Sequence, residues 1–134
     1  MKNQIIQDRF ETLFKALPRE KPRFGPVFRG WLENDKDGYK VYLRITRRHI
    51  NGQQRDSIDL ATIEVLPEFQ RRGIFSAILA ACENEARSRG AVVFVESVLS
   101  KIVVDKLLRE GYHEVADLPN CFWKEVNSAS ASST

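Results

Sequence analysis

Metal chemistry has little to draw on in this sequence. Of 134 residues, two are cysteines and two are histidines. Cys82, Cys121, His49 and His113 stand apart in the chain, without the close pairing from which a zinc site is built. The two cysteines are also too few and too distant to read as a disulfide framework. Long apolar runs are missing as well: "AVVFV" at 91–95 falls far below the ~20 residues that a membrane span needs. The first residues, "MKNQIIQDRFETLF", carry charges every few positions, so no secretory signal and a cytoplasmic location are expected. Charge of one sign is scarce too. Eighteen acidic residues lie among 21 basic ones, for a formal net charge of +3. That balance permits an anionic ligand and argues against nucleic acid as a partner. Arg44, Arg47 and Arg48 of "RITRRHI" alternate in a way that keeps them from sharing one strand face, so they form no continuous basic stripe.

What is present is patterned for one α/β domain. Ile6, Phe10, Leu13 and Leu17 recur at helical spacing, and Pro18 ends the run, which predicts a helix over 3–16. "LPREKPRFGP" is loop composition. "VFRGWLE" reads as a short strand. "YKVYLRITRRHI" and "RDSIDLATIEV" alternate in the manner of strands, with "NGQQ" between them, which predicts a hairpin. Phe75, Leu79, Cys82 and Ala86 mark one face of a following helix, with Gly90 as its cap. "AVVFVES" reads as a buried strand, "KIVVDKLLRE" as a helix with Val103, Leu107 and Leu108 inward, and "YHEVAD" and "CFWKEV" as a last strand pair. The tail "NSASASST" has nothing apolar to bury, so the domain is expected to span 1–126 and residues 127–134 to be disordered.

One stretch, "VLPEFQRRGIFSAIL" at 65–79, carries the functional reading. A strand ends at a proline, two arginines precede a glycine, and an apolar helix begins. The first turn of a helix leaves N–H groups unpaired at the positive end of its dipole. Gly73 allows close backbone approach, and Gln70, Arg71 and Arg72 add donors and charge. The sum suits a pyrophosphate.

The order V-x-P, then Q-R-R-G-I, then an apolar helix resembles the acetyl-coenzyme A loop of the GCN5-related N-acetyltransferases (GNAT family), with Phe75 where glycine or alanine is usual. "VVFVES", a helix and "REGYHEV" extend the resemblance over residues 39–126, and the pattern is similar in particular to the small acetyltransferase-like proteins of bacteriophages. The resemblance implies a mixed, mostly antiparallel sheet with helices on both faces and a splayed central strand pair. It implies acetyl-coenzyme A as co-substrate, no metal, and an amine acceptor on a protein or small molecule, the chain being a monomer or homodimer. By the same resemblance Ile63 and Val65 would pair with the pantetheine arm through main-chain atoms. The amides of Gln70, Arg71, Arg72, Gly73, Ile74, Phe75 and Ser76 would surround the pyrophosphate, and Ser100 would meet the arm where it opens the next helix. As a helix opener, Ser100 also reads as an N-cap. A tyrosine that usually protonates the departing thiolate is replaced by Leu107, while Tyr112 matches a structural aromatic. Glu96 is the expected base, with Glu64 behind it. The missing acid keeps an alternative open: a binding or regulatory module that retained the fold and lost rapid turnover.

Overall fold

The structure is a computed structural model that describes residues 2–23, 25–34, 36, 38–65, 73–98 and 100–126. Helix α1 (Lys2–Ala16) is followed by strands β1 (Phe28–Asn34), β2 (Tyr39–Ile50) and β3 (Gln53–Val65). Helix α2 (Ile74–Arg89), strand β4 (Val92–Val95), helix α3 (Lys101–Arg109) and strands β5 (His113–Glu114) and β6 (Phe122–Glu125) complete the order. The six strands form one sheet in the order β1-β2-β3-β4-β6-β5, antiparallel except where β3 meets β4. The tail 127–134, expected to be disordered, lies outside the described residues.

The β2–β3 hairpin turns on Asn51 and Gly52 alone, both with positive φ (51° and 81°). Two left-handed residues give the turn whose twist matches that of the strands, which is why Asn-Gly stands there. Pairing then runs evenly until Leu43 faces Leu60 and Tyr42 faces Thr62. Ala61 is thus an extra residue, a bulge in β3. Side chains alternate along a strand, so the bulge resets the alternation. Ile58 and Leu60 point into the main core before it, and Ile63 and Val65 pack against the same core after it.

That core joins Ile6, Phe10 and Phe14 of α1, Ile78, Leu79 and Cys82 of α2, and Leu107 of α3 to Val41, Leu43, Ile58, Leu60, Val93 and Val95 of the sheet. In α1 Phe14 is fully buried and Leu13 only partly, a shift of one position from the sequence pattern. In α3 the inward residues are Val103, Val104 and Leu107, and Leu108 is half exposed. The opposite sheet face carries a smaller cluster of Ile50, Val92 and Phe94 with Trp123, Val115 and Cys121 against it.

Cys82 is fully buried, and burial beside Glu83 and Glu85 pushes its thiol well above the ordinary value. The thiolate is the reactive form. In the native protein a thiol reagent is therefore expected to label Cys121, which is partly accessible, and to leave Cys82 unmodified until denaturant is added. Intact-mass spectrometry over time reads this directly; equal labelling rates would contradict it.

Candidate active site

Strand β4 is short. It pairs with β3 only from Ser57 to Leu60, and the last rung is the Glu96 amide donating to the Leu60 carbonyl at 2.9 Å. Ser97 then takes a left-handed φ of 56°, rare for a residue with a side chain, and the chain departs. From Ala61 to Val65 strand β3 continues without β4 beside it. The sheet is split at its centre, and beyond Leu60 the main-chain edge of β3 is not paired by β4.

A cavity of about 360 Å³ lies against that edge. It is lined by Ile63 and Val65 of β3, by Gly73, Ile74, Phe75 and Ser76 at the start of α2, and by Ser100, Ile102, Val103 and Lys106 at the start of α3. Gly73 is the N-cap of α2 and is left-handed, φ 77° and ψ 12°, a conformation that costs glycine nothing. The first helical rung is the Ala77 amide on the Gly73 carbonyl at 3.0 Å. The amides of Ile74, Phe75 and Ser76 therefore find no acceptor within the helix. No carboxylate occupies the first turn of α2, so nothing there competes with a bound anion for the positive dipole end. Hollows of similar size, about 400 and 420 Å³, lie along Glu11–Ser88 and Glu20–Val27, but their linings are mainly charged and polar chains with no free helix start among them.

The cavity gathers seven residues singled out in the sequence: Ile63, Val65, Gly73, Ile74, Phe75, Ser76 and Ser100. Gln70, Arg71 and Arg72 lie outside the described residues. Ser100 is the N-cap of α3, its Oγ accepting from the Val103 amide at 3.4 Å. Ile102 and Lys106 escaped the sequence reading, which took α3 only as a core helix. The signal was an isoleucine at a position that the core pattern leaves outward, now 66% exposed at the cavity rim. Lys106, four residues on, pairs with Glu110 at 2.9 Å and brings a cation to the side of the cavity facing the start of α2.

The two candidate bases sit differently. Glu64 is exposed on β3, opposite Lys40. Glu96 stands at the split but is fully engaged: Arg44 Nη2 donates to its Oε1 at 2.7 Å, and Arg48 Nη2 donates to its Oε2. Both arginines also reach Asp59, which the sequence reading missed. Arg48 Nε donates to Asp59 Oδ2 at 2.9 Å, Arg44 Nε at 3.3 Å, and Ser57 Oγ to Oδ1 at 2.7 Å. Asp59 is completely buried, and desolvation raises its carboxyl above the usual range against the opposing pull of Arg48, Ser57 and Arg44. Arg48 also lies 3.9 Å over the Phe94 ring.

Leu107 is buried in the core. Tyr112 is buried too; its hydroxyl donates to Glu83 Oε2 at 2.7 Å, and burial with Glu83 drives its phenol far up. A phenol so held packs the core. Tyr112→Phe is therefore expected to change kcat/KM less than threefold while costing about 1 kcal/mol of stability for the lost hydrogen bond. A steady-state assay beside a thermal melt separates the two effects.

Residues 7–112 match the model of the acetyltransferase (GNAT) family. The chain belongs to that family. No curated protein matches its sequence. Among solved structures, this GNAT chain is similar to AtaT complexed with acetyl-methionyl-tRNA, at 15% identity and a TM-score of 0.58 over 72% of this chain and 67% of that one. It is also similar to a mutant AtaT toxin bound to the C-terminus of the antitoxin AtaR and acetyl-CoA, at 14% identity and a TM-score of 0.52 over 66% and 59%. The KacTA–DNA complex follows, at 18% and 0.51 over 66% and 58%. These likenesses show the fold, and in two of the three this chain spans less than two thirds of the other's length. Among the described residues no helix is long and apolar enough to cross a membrane, and no cluster of three potential metal ligands occurs.

Proposed function

We propose that this GNAT chain transfers an acetyl group from acetyl-coenzyme A to an amine. The observation that supports it most is the cavity in which the edge of β3 that β4 leaves, the first-turn amides of α2 at Ile74–Ser76 and the N-cap of α3 converge. An extended, amide-bearing arm fits the open β3 edge, where it can take up main-chain bonds. Its pyrophosphate then falls at the start of α2. The adjoining Gln70, Arg71 and Arg72 would add donors on the same side, and Lys106 a cation on the other. The thioester end reaches the split beside Glu96.

The acceptor class is wider than the sequence suggested. The expectation against nucleic acid finds no support in the similar structures, one of which holds acetyl-methionyl-tRNA and another DNA. An amine carried on a protein, a small molecule or an RNA is compatible with the open sheet face at the split. Dependence on acetyl-coenzyme A supports the cytoplasmic location read from the sequence. The second reading, a coenzyme A-binding module with slow turnover, is favoured by one observation: Leu107 fills the usual acid's position and is buried.

Native mass spectrometry of the purified protein tests the cofactor, and thiol release from acetyl-coenzyme A across an amine panel tests turnover. Retention of acetyl-coenzyme A together with acceptor-dependent thiol release is the expected result. Retention without release would select the binding module, and failure to retain either form would sink both readings.

A further inference from the structure

We propose that two copies of this chain join edge to edge through β1, antiparallel about Trp31, and make one continuous sheet across a two-fold axis. This does not depend on the acetyl-transfer reading. The sheet has two ends. At one of them β5 is two residues long, and brevity guards an edge. At the other, β1 runs for seven residues and pairs with β2 rung for rung from Phe28 to Asn34. Among the described residues it has no other partner strand. Its sequence, FRGWLEN, holds no lysine and no proline, and its ladder has no bulge. Those are the devices that usually keep an edge from pairing with another chain. At the middle of the strand Trp31 is 49% exposed. Its ring is held in place: it meets Tyr42 edge-on at 5.0 Å, and Lys40 Nζ lies 4.5 Å over it.

The strand's own charges identify the occupant. A two-fold axis normal to the sheet keeps every residue on its own face, so one residue of β1 must lie on the axis and the others meet in pairs around it. Arg29, Trp31 and Glu33 share a face, opposite Arg44, Tyr42 and Lys40 of β2. With Trp31 on the axis, Arg29 of each copy stands opposite the partner's Glu33, the two indoles meet at the centre, and the whole strand is paired. With Gly30 on the axis, Arg29 meets the partner's Trp31 and Glu33 runs past the strand end. With Leu32 on the axis, Trp31 meets the partner's Glu33 and Arg29 runs past. Only the Trp31 axis brings opposite charges together, and it does so twice. Arg29 gains most from it. Its neighbour within the chain is Arg44, a like charge already committed to Asp59 and Glu96. On the other face Gly30 comes opposite the partner's Leu32. The Phe28 ring lies over that glycine, 3.3 Å from where a Cβ would stand, and Phe28 and Leu32 already pack against the main core. The pairing therefore extends the apolar layer on that face. An unrelated extended peptide could add to this edge through main-chain bonds, but a second copy brings its own matching charges.

Sedimentation velocity of the full chain over a dilution series reads the association directly. A single strand pair is a small interface, so a dimer that dissociates on dilution is expected. Arg29→Glu alone, or Glu33→Arg alone, turns both charge pairs into repulsions and should weaken self-association by about ten-fold or more. Mixing these two variants restores both pairs with their signs exchanged, and the mixture should associate as the parent does. The double variant Arg29→Glu/Glu33→Arg should self-associate for the same reason. Both positions are exposed, so the variants are expected to fold, and circular dichroism checks that they do. Recovery in the mixture and in the double variant separates lost pairing from lost folding. A chain that stays monomeric through the series, a dimer indifferent to either reversal, or folded single variants that fail to associate when mixed would overturn the proposal.

Discussion

Gly73→Asp is expected to weaken acetyl-coenzyme A binding by about two orders of magnitude without unfolding the protein. Gly73 holds a left-handed φ of 77° at the start of α2 and lines the cavity. Aspartate and asparagine are the side chains that tolerate this conformation best, and an acid at a helix start suits the helix itself. What aspartate adds is a negative charge beside the expected pyrophosphate. At about 5 Å and an effective dielectric near 20, one such pair of charges repels by about 3 kcal/mol, on the order of 100-fold in affinity. Gly73→Asn is the neutral match and should keep most of the affinity. Isothermal titration of the two variants, with circular dichroism as the check on folding, separates charge from volume. Equal losses would mean that the space above Gly73 matters more than its charge, and an unchanged Gly73→Asp would remove this helix start from the site.

Asp59→Ala should be among the most destabilising single changes in the chain. The residue is wholly buried and is shared by two guanidiniums that β2 holds in place. Removing one member of a buried ion cluster typically costs 3–5 kcal/mol. Arg44 and Arg48 keep some water and keep Glu96, so the lower end, about 3 kcal/mol, is expected. For a domain of this size that is roughly 10 °C in melting temperature. Glu64→Ala, exposed on the same strand, should shift it by less than about 0.5 kcal/mol. A thermal melt that left Asp59→Ala within a degree or two of the parent would refute the assignment. The pH dependence has a definite sign. Burial raises Asp59 above its ordinary 3.8, so the folded state holds this proton more tightly than the unfolded chain does. Its contribution is complete below pH 3.8 and declines as pH rises through the folded-state value. Loss of stability in acid is accordingly not expected to begin at Asp59.

Much of this architecture could be read in the residues because local chemistry decides it. Asn51–Gly52 dictates its own turn, and Gly90 ends α2 in the left-handed conformation that a helix stop favours. The glycine-opened helix at Gly73 was legible for the same reason. Three features were not. The bulge at Ala61 leaves the alternation of "RDSIDLATIEV" looking regular on both sides, because an inserted residue shows only against a partner strand. The Arg44–Asp59–Arg48–Glu96 cluster spans three strands and depends on register, which no single segment records. The outward side of α3, with Ile102 and Lys106, has meaning only once the cavity beside it exists.

The extra residue in β3 also makes the cavity depend on where the strand bulges, in a way that composition does not show. Leu60 and Ile63 are three apart yet serve the same side of the sheet, which even spacing forbids. Were β3 to run on through Ala61 without the bulge, every residue beyond it would trade sides: Ile63 and Val65 would turn to the arginine-bearing face, while Thr62 and Glu64 would be driven toward the main core. The cofactor floor would become a hydroxyl and a carboxylate with no change in any residue that lines it today. A chain lacking Ala61 should by contrast keep the wall, since Leu60, Thr62 and Ile63 then alternate evenly against Leu43, Tyr42 and Val41, and removing the extra residue should cost the cavity less than moving it beyond Ile63.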